Sequence, residues 1–326
     1  DEAQPAFLVD GKSFVLSHSS SVCAKIRFFT NFGVMKLFIV DAFTETPFGG
    51  NTAGVVLLKP GCDFPEEEWM RLLAAELRYS ETAFVRRDGA AEFTVRYFTP
   101  AGEIDLCGHA TIASFGVLFR EGIVPEGTLC LNHTLAGDLE VVAGERVMMQ
   151  MVTPVRGQTF DEPVLLGELL TAMGGLKPEQ LGKWPAETFS TGLPDIILPL
   201  RDVATLQAPQ PDMPARTALS ERLDVVGVHA FAIDPDDEYT AHVRNFAPRY
   251  AIPEESATGT ANAALTGYLF HHRVIGDGAQ CFFLQGEAMG RSSLVQTTMK
   301  LKDGVPDIRV GGPCAIVAAS SYFFRM

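Results

Sequence analysis

The chain has 326 residues, 47% hydrophobic and 20% charged, with a formal net charge of −14, which is long enough for two ordinary domains, each with its own core. So acidic a chain, without a basic run, excludes binding to nucleic-acid backbones or anionic membranes, which wants clustered Lys and Arg. No stretch reaches the roughly 18 uninterrupted apolar residues of a membrane span, and six scattered cysteines without a C-x-x-C point to a reduced, cytoplasmic protein.

Residues 1–34 lack the basic start and continuous apolar run of a secretory signal. They read as an extension of unknown origin, because Met35 stands directly before the β-favouring run Lys36 to Phe43. The turn Thr46 to Asn51 follows, and its Gly49 and Gly50 lack the G-K-[ST] of a phosphate loop. Pro65 to Leu77 has the apolar spacing of a surface helix. Arg78 to Val85 leads into a strand, with Glu81 between Ser80 and Thr82, and Phe93 to Phe98 alternates as a half-buried strand. Ile112 to Phe119 is apolar on nearly every face, so it belongs inside a layer of other structure. Gly137 to Val152 supplies further β segments, and the pattern relaxes over Val155 to Phe160. The expected division is therefore an N-terminal lobe over 35–154 and a C-terminal lobe over 155–313, leaving open whether a closing strand at about 314–326 joins the first. In the second lobe, 163–182 reads as helical, Ile196 to Leu200 as a strand and Gln207 to Pro214 as a loop. Strands over Val225–Ile233 and Tyr239–Phe246 lead to a second apolar helix ending near Phe270, and more strand follows over Cys281–Leu301 and Ile308–Ala319.

The two halves share a phrase. Val95-Arg96-Tyr97-Phe98-Thr99-Pro100 precedes Cys107-Gly108-His109-Ala110, and Val243-Arg244-Asn245-Phe246-Ala247-Pro248 precedes Thr258-Gly259-Thr260-Ala261. The pattern V-R-x-F-x-P followed by G-[HT]-A occurs twice in the same order at nearly the same offset, the mark of a duplicated unit. Each copy starts a helix almost devoid of charge. The amino end of such a helix carries free N–H groups and roughly half a positive charge. Glycine there lets a ligand come close, so two such ends facing one another can grip a small anion, although ordinary capping of two core helices also explains them.

Proton abstraction beside a carboxylate needs a tuned base, fixed polar groups and a dry site. Glu81, His109, Glu255 and Thr260 are candidates, and burial is expected to raise the pKa of a Glu used this way. Each has a duller reading: a solvated Glu81, a capping His109, a helix-dipole partner in Glu255, a first-turn hydroxyl in Thr260. Cys107, at a helix start, is a candidate thiolate. A two-thiol racemase, however, wants a second cysteine where Thr258 stands. His271-His272 lacks partners at metal-ligand spacing, and no nucleophile elbow appears.

Val40-Asp41-Ala42-Phe43, Gly50-Asn51, Ser80-Glu81-Thr82-Ala83-Phe84, Arg96-Tyr97-Phe98-Thr99-Pro100, Cys107-Gly108-His109-Ala110-Thr111 and Ala257-Thr258-Gly259-Thr260-Ala261 together resemble the phenazine-biosynthesis PhzF-like isomerase family, from about Met35 to the carboxyl end. The resemblance implies an α+β, diaminopimelate-epimerase-like fold: two pseudo-symmetric lobes, each a curled β-sheet around a central helix, with the active site between them. It implies a homodimeric isomerase that needs no cofactor or metal and moves a proton on a small carboxylate. In that picture Glu81 is the shuttling acid/base, His109 lies beside the substrate, and Gly108 and Gly259 offer backbone donors. Glu255 and Thr260 stand where the family commonly has Asp and Ser, which keeps the functional groups but changes reach and bulk. The rivals are an amino-acid racemase or epimerase of the same fold and a catalytically idle binding or scaffold protein.

Overall fold

The helix Gly108–Arg120 buries every residue from His109 to Leu118. At about 1.5–3 kcal/mol for each large apolar side chain removed from water, Ile112, Phe115, Val117 and Leu118 supply much of the reason for a core at this place. In this computed structural model, which describes residues 7–9, 12–14, 32–208 and 212–325, the helix is enclosed by a ring of strands. The ring runs Phe32–Ala42, Asn51–Leu57, Thr82–Arg87, Glu92–Phe98, Leu129–Thr134, Gly137–Val142 and Arg146–Gln150. The last strand of the chain, Val305–Arg325, closes it by pairing with both Arg146–Gln150 and Phe32–Ala42.

A second helix, Gly259–His271, is buried over Ala261 to Leu269 and is wrapped by a second curved sheet, which ends in Val155–Thr159 as an edge rather than closing. Its strands are Val155–Thr159, Glu187–Ser190, Pro194–Pro199, Val228–Ala232, Ala241–Ala247, Gln280–Gln285 and Ser293–Lys302, joined to the first part of Val305–Arg325. The pairing order repeats the first ring. Gly54 pairs in parallel with Thr82 as Ile196 does with Val228, and Glu92–Phe98 runs parallel to Leu129–Thr134 as Ala241–Ala247 does to Gln280–Gln285. The duplicated phrase is therefore a duplicated lobe. By this correspondence Cys107 matches Thr258, His109 matches Thr260, and Glu81, just before Thr82, matches Gly227, just before Val228.

Val305–Arg325 changes partner from Ser293–Lys302 to Phe32–Ala42 near Cys314, and Pro154 stands just before the edge strand Val155–Thr159; each place rests on a glycine of a central helix. A Cβ added at Gly116 would lie 2.0 Å from Cys314 Sγ, and one at Gly267 would lie 2.6 Å from Pro154 Cβ. Those contacts outweigh the roughly 1 kcal/mol that a helix loses to an interior glycine. Outside the sheets, Glu67–Leu77 packs Met70, Leu73 and Ala74 on Phe84 and Phe98, whose rings meet edge to face at 5.6 Å. Pro163–Ala172 and Met213–Leu223 cover the second sheet.

Several sequence expectations need correction. The first long strand begins at Phe32, ahead of Met35, so the end of the leading stretch belongs to the sheet. Phe7–Val9 pairs with Lys12–Phe14, and the rest of 1–34 lies outside the described residues, as do 209–211 of the expected loop. Val155–Phe160 is not a relaxed link but an edge strand, missed because its residues are mostly exposed. The expected helix over 163–182 stops at Ala172, where Met173, Gly174 and Gly175 end it. Pro214 hid a helix start: Asp212 caps it by accepting from Ala215 N, and proline is tolerated in a first turn because its missing N–H has no intrahelical partner there.

Candidate active site

Glu81 ends the turn after the helix Glu67–Leu77, and its backbone carbonyl accepts from Gly54 N at 3.1 Å, which fixes it at the head of the strand. Its neighbours Ala83 and Val85 face the inner core while Phe84 faces the outer one. By the two-residue alternation of a strand, Glu81 points inward, to the start of the helix Gly108–Arg120. There His109 Nε2 lies 3.2 Å from Glu81 Oε2. The angle does not make a hydrogen bond, so this buried oxygen has no hydrogen-bond partner among the described residues. Ser80 Oγ stands 3.5 Å from His109 Nε2, and Cys107 Sγ stands 3.4 Å from His109 Nδ1.

Burial pushes the Glu81 pKa up, but the His109 imidazole outweighs it, helped by Ser80 and Cys107, and the carboxyl sits below the usual glutamate value. This reverses the expectation of a raised pKa, because the partner's charge beats desolvation. His109 is the complement: burial opposes its charge, and so does the positive end of its helix. The Cys107 sulfur and the Glu81 carboxylate nevertheless raise it well above the ordinary histidine value. The Cys107 thiol is pushed up, by burial first, with the Glu81 charge adding to it, so the thiolate expected from its place at a helix start does not form at neutral pH. The contact favours the ionised form of each partner, carboxylate on Glu81 and imidazolium on His109. Glu81, Cys107 and His109 present ligand-type atoms within 4.8 Å of one another.

Glu255 reaches the same cleft from the second lobe. Its Oε1 accepts from Asn51 Nδ2 at 3.1 Å and its Oε2 accepts from Thr258 Oγ1 at 2.7 Å. Burial raises its pKa, the His109 charge lowers it and the Glu81 charge raises it, so the three groups share one electrostatic environment. Asn51 also donates to Ala257 O at 3.0 Å, joining the lobes at the start of the second helix. Gln285 completes the support, accepting from Thr258 N at 3.2 Å and donating to Glu255 O at 2.8 Å. Arg291 ties the Gly49–Asn51 turn down, donating to Gly49 O, Gly50 O, Thr52 Oγ1 and the buried Asp41.

Gly108 and Gly259 each open a central helix, and neither is required by packing. An added Cβ would meet Met149 Cε at 3.9 Å in one case and Val310 Cγ1 at 3.5 Å in the other. Thr260 lies in the first turn, where its carbonyl accepts from Thr191 Oγ1 at 2.9 Å. The two helices touch. Sequence reasoning gave Asn51 and Ser80 no role, although both lie in quoted motifs, and it missed Gln285 and Arg291, which no local pattern marks. It also left His271-His272 without partners, whereas the fold brings Glu187 to His272 Nε2 at 2.8 Å. Glu187 is buried and also held by Arg156 and Thr159, so the cluster is an ion-pair network.

A sequence model of the family described as phenazine biosynthesis-like protein matches residues 40–320. The chain belongs to the phenazine biosynthesis-like family. The PhzF-like chain is 32% identical over 291 residues to the uncharacterized isomerase YddE of Salmonella typhimurium, covering 86% of this chain and 96% of that one. It is 37% identical over 290 residues to an uncharacterized isomerase of Deinococcus radiodurans, covering 85% and 91%. The crystal structure of the Bacillus anthracis PhzF-family phenazine biosynthesis protein superposes with a TM-score of 0.78 at 25% identity, over 90% of this chain and 100% of that one. The fold is diaminopimelate-epimerase-like, and the protein is an isomerase. No helix among the described residues is long and apolar enough to cross a membrane.

Proposed function

We propose that this isomerase moves a proton on a small carboxylic acid, without a cofactor, using Glu81 as base and then acid. The observation that carries the reading is the state of Glu81: a buried carboxylate oxygen 3.2 Å from the His109 imidazole and without a well-aligned hydrogen bond, at the start of a helix whose first residue is Gly108. Leaving such an acceptor unsatisfied costs about 1–3 kcal/mol, a cost with a purpose if the oxygen must stay free to take a proton. The substrate's carboxylate is held by N–H groups of the two glycine-led helix starts, Glu255 and Thr260 border it, and His109 faces the reacting carbon. As the C–H bond breaks, its electrons pass into the enolate of the carboxylate and the proton goes to Glu81. Return of a proton, to that carbon or to another, gives the isomer.

Thr258 in place of a second cysteine, and a Cys107 held as a thiol, argue against the two-thiol racemase. Against the idle scaffold stands the same free oxygen on Glu81. The five cysteines among the described residues are unpaired, which supports action in a reducing, cytoplasmic setting, and sedimentation at micromolar concentration tests the homodimer. The main test is a panel of α-amino, α-hydroxy and β,γ-unsaturated carboxylic acids incubated with the protein in deuterium oxide. The wild type is expected to wash deuterium into at least one of them and Glu81→Gln into none, by NMR, with unfolding curves showing that the variant is folded. Exchange by Glu81→Gln at the wild-type rate removes Glu81 from its role.

A further inference from the structure

In the second lobe the position that corresponds to Glu81 is Gly227, and no side chain fits there: a Cβ would lie 1.8 Å from the Phe246 carbonyl oxygen. A carboxyl reaches the place from the neighbouring strand instead. Gly227 O accepts from Ile196 N at 2.9 Å, which sets Asp195 beside it. Along Pro194–Pro199, Ile196 and Leu198 face the outer core and Ile197 the inner core around the helix Gly259–His271, so by alternation Asp195 faces inward with Ile197. It does so at the cleft end, because the turn just before it is pinned to the first turn of that helix by the bond from Thr191 Oγ1 to Thr260 O. Asp195 is 1% exposed, and its Oδ1 has no hydrogen-bond partner among the described residues. Of the unsatisfied buried atoms among the described residues, Glu81 Oε2 and Asp195 Oδ1 are both carboxyl oxygens, one from each lobe, Asp195 lying on the strand beside the position that matches Glu81.

We propose that Asp195 is a second proton-handling residue of the cleft, delivering a proton to the substrate face opposite Glu81. This rests on Glu81 as the base. The charged group that faces Asp195 is Glu255, itself facing His109 and Glu81, and the backbone N–H of Gly227 offsets it. Burial and then the Glu255 charge push the Asp195 pKa up to about 7, so the carboxyl carries a proton while Glu81 is ionised. Glu81 takes the proton as the C–H bond breaks and the electrons enter the substrate's enolate. The Asp195 O–H bond breaks as the new C–H bond forms on the other face, leaving Asp195 ionised and Glu81 protonated. Solvent resets both, with no oxidant or reductant consumed. The reaction class is inversion at a carbon beside a carboxylate, an epimerisation by two unlike carboxyls, one from each lobe.

The test uses the full chain, the same acid panel in deuterium oxide and the variants Asp195→Asn and Glu81→Gln, read by NMR for deuterium and by chiral chromatography for the inverted product. Asp195→Asn is expected to keep deuterium wash-in with retained configuration and to lose inversion by about a hundredfold or more. Glu81→Gln loses both. Equal loss of exchange and inversion in Asp195→Asn, or no loss of either, overturns the proposal. A second readout does not need the substrate: with ¹³C-carboxyl-labelled aspartate, the resonance missing in Asp195→Asn is expected to titrate near neutrality and to move lower in Glu255→Gln. An Asp195 that stays ionised from about pH 5 upward overturns the proposal. If no acid of the panel exchanges even with the wild type, the reading of Glu81 fails on that panel while the titration still judges Asp195.

Discussion

Replacing Asp195 by Asn should stabilise the protein, and by an amount that depends on pH. Burial and the Glu255 charge raise Asp195 from the model-compound value of 3.8 to about 7. In this pH range the folded state therefore binds a proton that the unfolded chain releases. Wild-type stability then falls as pH rises from about 4 to about 7, and above that the penalty is constant. A shift of about three pH units at about 1.4 kcal/mol each makes the full penalty about 4 kcal/mol. The amide of Asn cannot ionise, so the penalty disappears, but its NH₂ group must also find a partner in a buried place. The expected net gain above pH 7 is therefore roughly 1–3 kcal/mol, shrinking to nothing or reversing below about pH 4. Urea unfolding of both proteins at intervals from pH 4.5 to 8, compared as midpoints at unchanged slope, measures it. A difference that is flat with pH, or a variant less stable than wild type at pH 8, refutes the reasoning.

Glu81→Gln should lower the His109 pKa, because one of the two groups that raise it is gone. The stability His109 contributes is present below about pH 6.5 and is lost as pH rises through its folded value, so the variant loses it at lower pH, read from the imidazole resonances. Cys107→Ala should leave deuterium exchange within a few-fold of wild type, since the thiol keeps its proton; complete loss returns the thiol to the mechanism. Gly116→Ala should cost about 1–3 kcal/mol through the clash with Cys314. Gly108→Ala should cost little stability yet abolish exchange, because its Cβ enters the space left for the ligand, and a normal exchange rate counts against that use of the space. Arg291→Ala leaves Asp41 buried without its charge partner and frees the Gly49–Asn51 turn. With Arg291 itself one-third exposed, the loss should be about 2–3 kcal/mol in urea unfolding.

The duplicated phrase made the pseudo-symmetry legible, because V-R-x-F-x-P marks the strand before each central helix and G-[HT]-A marks the helix start. The helices themselves were legible because a segment apolar all round has no stable place but a core. Proximity in three dimensions was not. Glu81 and His109 were candidates separately, but the 3.2 Å between them follows from how one strand head meets one helix start. Pairing with His109 carries the Glu81 pKa down against burial, and burial carries the Cys107 pKa up against its helix position, so both came out opposite to expectation. Asp195 sits in Leu193-Pro194-Asp195, a turn phrase with no motif. Its chemistry follows from Gly227 on the adjacent strand and Glu255 further along the chain. Closure of the first ring by the end of Val305–Arg325 likewise depends on register, which periodicity does not carry.

Where a small carboxylic acid sits decides the role of Glu81 most directly. A crystal structure with an exchanging acid bound is predicted to show its carboxylate over the N–H groups that start at Gly108 or Gly259, with the labile carbon about 3–3.5 Å from a Glu81 oxygen. An acid bound with that carbon turned away from Glu81, or outside the cleft between the two helix starts, contradicts it.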